Sequence, residues 1–152
     1  MLKIVGFKAK YKEVFKDLNI AWLKRFFYVE DKDFELLDES EKHILQKGGY
    51  IFIGLWHKEP VSCYALIKRK GGIFELGKMA VNENFQGLKI GQQMLVHAID
   101  FGKRNRWKKI ELYSSTKLDT AIHIYKKYGF KEVILENNSP YARSDIKMEL
   151  IL

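Results

Sequence analysis

Apolar runs of strand length fill the middle of this chain. Residues 50–56 (YIFIGLW), 61–69 (VSCYALIKR) and 73–81 (IFELGKMAV) are each rich in β-branched and aromatic side chains. Two short polar segments, HKEP and then KGG, separate these runs and read as turns. Consecutive strands joined by turns this short pair with opposite directions, so the pattern predicts a three-stranded antiparallel meander.

Helical periodicity flanks the meander on both sides. Apolar residues recur at intervals of three and four over 11–27 and over 91–106, and a shorter helix around 121–128 is predicted to end at Gly129. A fourth, polar helix is predicted at about 40–47. Further short strands are predicted at 2–7, at 109–114, near 131–136 and at 144–151.

The order of these elements predicts the fold class. The strand 73–81, the helix 91–106 and the strand 109–114 form a β–α–β unit whose two strands should be parallel. The whole set predicts an α/β protein of the α+β type, with a mixed, mostly antiparallel sheet of about six or seven strands flanked by about four helices. No repeat, linker or low-complexity segment divides the chain, so we expect residues 1–152 to form a single domain.

A polar turn at 86–91 (QGLKIG) leaves one predicted strand and opens a predicted helix. The first amides of a helix lack internal partners and the helix dipole is positive there, so such a turn can hold a phosphate. The turn matches neither G-x-G-x-x-G nor G-x-x-x-x-G-K-[ST], so it has no dinucleotide fingerprint and no triphosphate loop. Taken alone, the turn is better explained as an ordinary strand–helix connection.

The formal net charge of +8 allows nucleic acid, an anionic cofactor or an acidic substrate as partner. The densest basic cluster lies where the helix 91–106 should end, and cations are favoured at a helix C-terminus in any case. No recognition-helix or base-stacking signature accompanies the charge, so a nucleic-acid partner is not expected.

Cysteine content and apolar run length bear on location. The single cysteine, Cys63, makes no internal disulfide and is expected in the core, which fits a reducing cytosol. No apolar run reaches 18 residues, and the apolar stretch at the N-terminus is too short for a signal peptide. We therefore expect a cytoplasmic protein without a membrane partner. The four histidines show no metal-ligand spacing, so no metal is expected.

The segment Gln86-Gly87-Leu88-Lys89-Ile90-Gly91 resembles the Gln/Arg-x-x-Gly-x-Gly/Ala turn of the GNAT family of N-acetyltransferases. About 35 residues further on, Ala121-x-x-x-Tyr125-x-x-x-Gly129-Phe130 is similar to the second signature of that family. The preceding strand, which ends in Met79-Ala80-Val81, also fits the family pattern. Each piece is a weak signal, but their order and spacing agree with the family along nearly the whole chain.

The resemblance implies acetyl-CoA as a co-substrate. Its pyrophosphate would bind the turn from Gln86 to Gln92, chiefly the amides of Leu88 to Gln92, and its pantetheine arm would pair with the backbone of Met79 and Val81 as an added strand. Two departures stand out. Lys89 replaces the first glycine of the family turn, and Leu118 replaces an asparagine that usually opens the following helix.

The resemblance also implies a chemistry. Tyr125 would protonate the departing thiolate, and Glu75, a carboxylate in the middle of an apolar strand, is the candidate base for the amine. The backbone N–H of Val81 or Met79 would stabilise the oxyanion. The alternatives are that Tyr125 is a core residue and that Glu75 is structural or binds substrate.

The acceptor is expected to be a primary amine of a small molecule, peptide or protein. An aromatic and acidic segment either forms part of the acceptor pocket or belongs to the core: Trp22, Phe26, Phe27, Tyr28, Glu30, Asp31 and Asp33. Tyr141 and Arg143 are further candidates for the acceptor side. A non-catalytic acyl-CoA sensor of the same fold is the alternative function, and the sequence leaves a homodimer open.

Overall fold

The computed structural model describes residues 1–152. Its centre is a sheet of seven strands in the order β1-β2-β3-β4-β5-β7-β6. The strands are β1 (Leu2–Gly6), β2 (Tyr50–Trp56), β3 (Glu59–Lys68), β4 (Ile73–Val81), β5 (Lys109–Ser114), β6 (Lys131–Val133) and β7 (Ile146–Ile151). The α-helices are α1 (Lys12–Phe26), α2 (Asp31–Asp38), α3 (Ile90–Arg104) and α4 (Asp119–Lys127). Short 3-10 turns lie at Ala9–Tyr11 and Glu83–Phe85.

The sheet has the mixed topology that the sequence predicts. β1 to β4 pair as an antiparallel meander, and β7 pairs with both β5 and β6 in the antiparallel sense. The exception is β4 with β5, which run parallel on either side of the α3 crossover. The expected class, strand count and helix count are therefore confirmed.

Two hydrophobic clusters cover the two faces of the sheet. The larger, of 15 buried residues, lies under α3 and includes Met94 and Leu95 of that helix together with Phe74 and Leu76 of β4. The smaller, of 10 buried residues, lies under α1 and α2 and includes Phe15 and Leu37. Burial of these apolar faces is what attaches the helices to the sheet.

The region between α1 and β2 differs from the prediction. The segment at about 40–47, predicted as a polar helix, contains only a five-residue π-helical turn at Glu41–Leu45. The helix that the structure has in this region is α2, which lies earlier in the chain and begins at a capping box formed by Glu30 and Asp33. Eight residues are too few to show a clear helical period in the sequence, so α2 was missed. The predicted strands near 131–136 and at 144–151 are shorter at one end than expected.

Candidate active site

A cleft opens where β4 and β5 separate. The two strands pair only over three positions, from Ile73 opposite Lys109 to Glu75 opposite Glu111. Beyond Glu75, the remaining residues of β4 have no partner on β5. A cavity of about 680 Å³ fills this gap and extends to the end of α1. The separation leaves one edge of β4 free to accept an added strand from a ligand.

A bulge in β4 accompanies the separation. The pairing of β3 with β4 shifts register between Cys63 and Ala65, which face Ala80 and Gly77. Lys78 lies in the bulge with a φ of 51°, a left-handed conformation that is rare for a residue with a β-carbon. A bulge of this kind bends a strand and redirects its side chains. Here it places Lys78 in the lining of the cleft.

The turn at one end of the cleft has the geometry of an anion site. Gly87 and Lys89 both have positive φ, of 82° and 58°, and α3 starts directly afterwards. The first helical hydrogen bond of α3 runs from the Gln93 amide to the Lys89 carbonyl, so the amides of the residues between them have no main-chain partner. Lys89 thus occupies the left-handed conformation that favours glycine, which explains why a glycine is the usual residue there.

A second cavity, of about 330 Å³, connects this turn to the cleft. Both cavities are lined by Met79, Val81, Gly91 and Tyr125, so they adjoin. The predicted cofactor residues found in the smaller cavity are Met79, Val81, Gln86, Gly87, Lys89, Ile90, Gly91 and Gln92. Ala80 lines only the larger cavity, and Leu88, whose side chain is exposed, lines neither.

Tyr125 lies on α4 where the two cavities adjoin. Its ring packs at a tilt against Phe130, with 5.8 Å between the centroids. The hydroxyl makes no hydrogen bond to another protein group, and burial raises its pKa to about 12. The phenol therefore keeps its proton at neutral pH and has that proton free to donate.

Glu75 is 2% exposed and lines the other end of the cleft. Its carboxylate accepts a hydrogen bond from the guanidinium of Arg69, at the end of β3. Burial raises the pKa of Glu75 above its usual value, and the charge of Arg69 offsets part of that increase. The result is a carboxylate that is more basic than a free one and is held in position.

A buried polar cluster of four residues lies beside Glu75 and was not predicted from the sequence. Asp33 is fully buried and accepts hydrogen bonds from Lys78 at 2.6 Å and from Arg143 at 2.7 and 2.9 Å. The ammonium of Lys78 also donates to the hydroxyl of Tyr141 at 2.9 Å. Although burial opposes it, hydrogen bonds and charge from Arg143 and Lys78 hold the pKa of Asp33 below its usual range.

This cluster ties three distant segments to the cleft. Asp33 comes from α2, Lys78 from the bulge in β4, and Tyr141 and Arg143 from the segment before β7. Tyr141 and Arg143 both line the cleft, and the expectation that they serve the acceptor stays a prediction. Lys78 carried the same signal in the sequence that singled out Glu75, a charged residue inside an apolar strand, and it directly follows a glycine inside that strand, Gly77.

The expected aromatic and acidic wall is only half present. Trp22, Phe26 and Phe27 do line the cleft, whereas Tyr28 is 60% exposed and does not line it. The expectation that the acidic residues form part of the wall is wrong, because Asp33 is already paired with Lys78 and Arg143. The carboxylate of Glu30 binds the side chain and amide of Arg143 and the amide of Ala142, and Asp31 is exposed outside the cleft.

The start of α4 lacks a side-chain cap. Leu118 occupies the N-cap position and makes no capping hydrogen bond, as a residue without a polar side chain must. Thr116 is not part of the cap either, since its hydroxyl and amide bind the carboxylate of Asp145. Leu118 nevertheless lines the cleft, so it can offer an apolar surface there but no side-chain hydrogen bond.

The cysteine and the possible metal ligands form no further site. Cys63 is fully buried in the core, where burial raises the pKa of its thiol to about 12. No group of three or more His, Cys, Asp or Glu side chains is arranged to hold a metal ion. None of the helices combines the length and the apolar composition that a membrane span requires.

Comparison with known proteins identifies the family of this chain. The model of the Acetyltransferase (GNAT) family matches residues 14–130, and the chain belongs to this family. An uncharacterised N-acetyltransferase of Dictyostelium discoideum is 37% identical over 60 residues, which is 40% of this chain and 28% of that protein. The chain thus spans only about a quarter of the curated relative that it matches.

Solved structures agree with this fold over the full length. A GNAT-family acetyltransferase from Staphylococcus aureus Mu50 has a TM-score of 0.85 and 22% identity, covering 98% of both chains. A Bacillus subtilis acetyltransferase in complex with CoA has a TM-score of 0.76 and 20% identity, covering 100% of this chain and 99% of that one. An Elizabethkingia anophelis GNAT acetyltransferase with acetyl-CoA bound scores 0.73 at 23% identity, covering 99% and 98%.

Proposed function

We propose that this chain is an acetyl-CoA-dependent N-acetyltransferase that moves an acetyl group directly to a primary amine, with both substrates bound together. The observation that carries the proposal is the junction of the two cavities at Tyr125. One cavity leads to the start of α3, and the other leads to Glu75. A donor and an acceptor could therefore approach a common point from opposite sides.

The residues of the α3 turn fit a CoA pyrophosphate. The unpartnered amides of Ile90, Gly91 and Gln92 are donors at the positive end of the helix dipole. A β-carbon added at Gly91 would meet only Val81, at 4.0 Å, so the backbone at this point is open to a ligand. The free edge of β4 at Met79 and Val81 supplies main-chain groups for the pantetheine amides.

The roles of the other residues follow from the transfer chemistry. Glu75 takes a proton from the acceptor ammonium, directly or through a water, which leaves a nucleophilic amine. The amine nitrogen then forms a bond to the thioester carbonyl carbon, and the carbon–sulfur bond breaks. The main-chain N–H of Val81 or Met79 stabilises the oxyanion of the tetrahedral intermediate, and Tyr125 gives its proton to the departing thiolate. The nitrogen carries one proton too many after the attack and releases it through water to the Tyr125 phenolate, while the proton on Glu75 passes to solvent. The single buried cysteine is consistent with work in the cytoplasm.

Acetyl-CoA and CoA should each raise the melting temperature of the protein. A ligand present at ~100 times its dissociation constant adds about 2.7 kcal/mol to the free energy of unfolding, or roughly 5–10 °C for a chain of this size. The measurement is a thermal-shift titration, followed by an amine panel with detection of released thiol. No shift at millimolar acetyl-CoA contradicts the proposal, and a shift without turnover of any amine indicates an acyl-CoA sensor instead.

Gly91→Val should weaken acetyl-CoA binding by at least tenfold without unfolding the protein. The new side chain would start 4.0 Å from Val81 and extend into the space beside the unpartnered amides. Gly6→Val is the matched control, because a β-carbon at Gly6 meets nothing within 4 Å and β1 lies at the far edge of the sheet. Calorimetric titration of both variants checks the prediction. Wild-type affinity in Gly91→Val would mean that the turn is only a connection.

Arg69→Gln should shift the acid limb of kcat/KM to higher pH. Burial alone raises the pKa of Glu75, and Arg69 counteracts that effect, so its removal makes Glu75 harder to ionise. The loss of activity is expected to be greatest at low pH and to shrink as pH rises.

Glu75→Gln should likewise have its largest effect at low pH, where the amine arrives protonated.

Arg104→Gln is the control for Arg69→Gln, because Arg104 is an exposed arginine on α3 that hydrogen-bonds only the carbonyl of Asp100. The profile of that variant should overlie the wild-type profile. If the acid limb of Arg69→Gln moves to lower pH or stays in place, Glu75 is not the group that titrates there.

A further inference from the structure

The carboxylates around the acceptor end of the cleft are already paired with cations of the protein itself. Glu75 is bound by Arg69, Asp33 by Lys78 and Arg143, and Glu30 by Arg143. A pocket that selects a polycation needs carboxylates whose charge is not yet compensated. The acidic groups here are held at distances of 2.6 to 3.0 Å in the Asp33 and Glu30 pairs, so they offer little attraction to a second cation.

The aromatic wall of the cleft is also covered by cations. The guanidinium carbon of Arg25 lies 4.6 Å from the ring centre of Phe26, and the ammonium of Lys117 lies 4.8 Å from that of Phe27. Trp22 packs against both rings, at 5.3 and 5.8 Å between centroids. A ring face that already holds a cation repels a ligand ammonium placed beside it, but the remaining ring surface can still pack against a flat apolar group.

Lys117 differs from the other cations of the cleft in having no carboxylate within 4 Å. Its ammonium donates to the carbonyl of Phe26 at 3.2 Å, which joins the start of α4 to the end of α1 across the cleft. Arg25, by contrast, is paired with Glu83 at 3.3 Å. Lys117 therefore presents an uncompensated positive charge at the rim of the aromatic wall.

One lining carboxylate has no cation partner. Asp119 is exposed in the first turn of α4, where the helix dipole stabilises a negative charge. It lies two residues from Lys117, so the two groups give opposite predictions for the charge of an acceptor. Lys117 contacts the aromatic wall through the Phe26 carbonyl and the Phe27 ring, whereas Asp119 forms no hydrogen bond or ion pair with it, which favours Lys117 as the selecting group.

We infer that the acceptor is a primary amine on a flat aromatic or apolar body that carries one anionic group, and that Lys117 binds this anion. The inference rests on the proposed acetyltransferase function and specifies its substrate class. The amine reaches towards Glu75, the body packs on Trp22 and Phe27, and the anion lies at the rim. Polyamines and other polycations are poor acceptors for the same reason, since no cluster of free carboxylates receives them.

Three acceptors that share one amine and one ring test the inference. Phenethylamine is the neutral member, 4-(2-aminoethyl)benzoate the anionic one and 4-(2-aminoethyl)-N,N,N-trimethylanilinium the cationic one, and spermidine is the polycation probe. We expect kcat/KM to fall from the anionic to the neutral to the cationic compound, with spermidine below the anionic one. The preference for the anion should decrease as salt is added.

Lys117→Gln should reduce the ratio of kcat/KM for the anionic over the neutral acceptor about twofold to fivefold, the range of an exposed ion pair. Its affinity for acetyl-CoA should not change. Lys126→Gln removes an equal charge from the exposed last turn of α4 and serves as the control, while Asp119→Asn tests the opposing group.

Several outcomes overturn the inference. One is a preference for the cationic acceptor or for spermidine. Others are an unchanged ratio of kcat/KM in Lys117→Gln and weaker acetyl-CoA binding in that variant. The last is a fall in kcat/KM for the cationic acceptor in Asp119→Asn that exceeds the fall for the anionic acceptor in Lys117→Gln. Turnover of all three aromatic amines at equal rates also removes the inference and leaves the proposed function standing. Absence of turnover with every amine, while acetyl-CoA still binds, contradicts the proposed function itself.

Discussion

Tyr125→Phe should lower turnover by about 10²–10⁴-fold while stability and acetyl-CoA affinity stay close to wild type. The hydroxyl makes no hydrogen bond within the protein, so its removal breaks no internal contact. The ring keeps its packing against Phe130. Because the pKa of the phenol is raised to about 12, the wild-type residue holds its proton throughout pH 6–9. The variant should therefore be slow across that whole range.

Steady-state kinetics with thiol detection measures the fall in turnover, and calorimetric titration with acetyl-CoA measures any fall in affinity. Together they distinguish loss of the proton donor from loss of cofactor binding. Tyr50→Phe is the control, since Tyr50 is a partly buried tyrosine of β2 whose ring packs against Phe101 of α3 and does not line the cleft. It should turn over at nearly the wild-type rate. Equal turnover in Tyr125→Phe and wild type would show that the thiolate takes its proton from water or leaves unprotonated.

The site residues that could be proposed from the sequence are those whose signals are local along the chain. The turn at 86–91 and Tyr125 on α4 each belong to short signatures in which neighbouring residues define the geometry. Glu75 could be singled out because a carboxylate inside an apolar strand must be either paired or functional. In the structure all three line one or both of two adjoining cavities, while their catalytic and binding roles stay predictions.

Alternation along β4 fails at the bulge, and this is why Lys78 was missed. Phe74 and Leu76 face α3, so strict period-two alternation would put Lys78 and Ala80 on that same side. Instead Ala80 packs in the cluster under α1 and α2, and Lys78 binds Asp33 of α2. One inserted residue reverses the facing of every side chain beyond it. Gly77, directly before Lys78, is the one local sign of a bulge, because an isolated glycine inside a strand often marks one, but it does not by itself show which way the later side chains point.

The polar cluster around Asp33 could not be predicted from the sequence either, because the residues that contact one another are far apart along the chain. Lys78 is 45 residues from Asp33, and Arg143 is 110 residues from it. No helical or strand period relates groups at such separations, and α2, which carries Asp33, was not predicted. The end of the cleft proposed to receive the acceptor depends on tertiary packing in this way, whereas the predicted cofactor residues lie mostly in one continuous turn.

Asp33→Asn should destabilise the fold by about 3–5 kcal/mol, which is the usual cost of removing one partner from a buried ion pair. Asp33 is fully buried, and its loss leaves the ammonium of Lys78 and the guanidinium of Arg143 without a shared counter-charge. The folded-state pKa of Asp33 lies below its unfolded value, so its contribution is present at neutral pH and is lost as pH falls through the folded pKa. The difference between wild type and variant should therefore shrink in acid.

Urea unfolding at pH 7 and in acid measures both effects, and Asp38→Asn is the matched control on the same helix. Asp38 pairs with Lys16 at 2.7 Å, but its side chain is 48% exposed, so the same substitution should cost less than about 1 kcal/mol. Adding Lys78→Met to Asp33→Asn should recover part of the stability, because the buried ammonium is then removed as well. A cost for Asp33→Asn no larger than that for Asp38→Asn would mean that water, rather than Asp33, compensates the two cations.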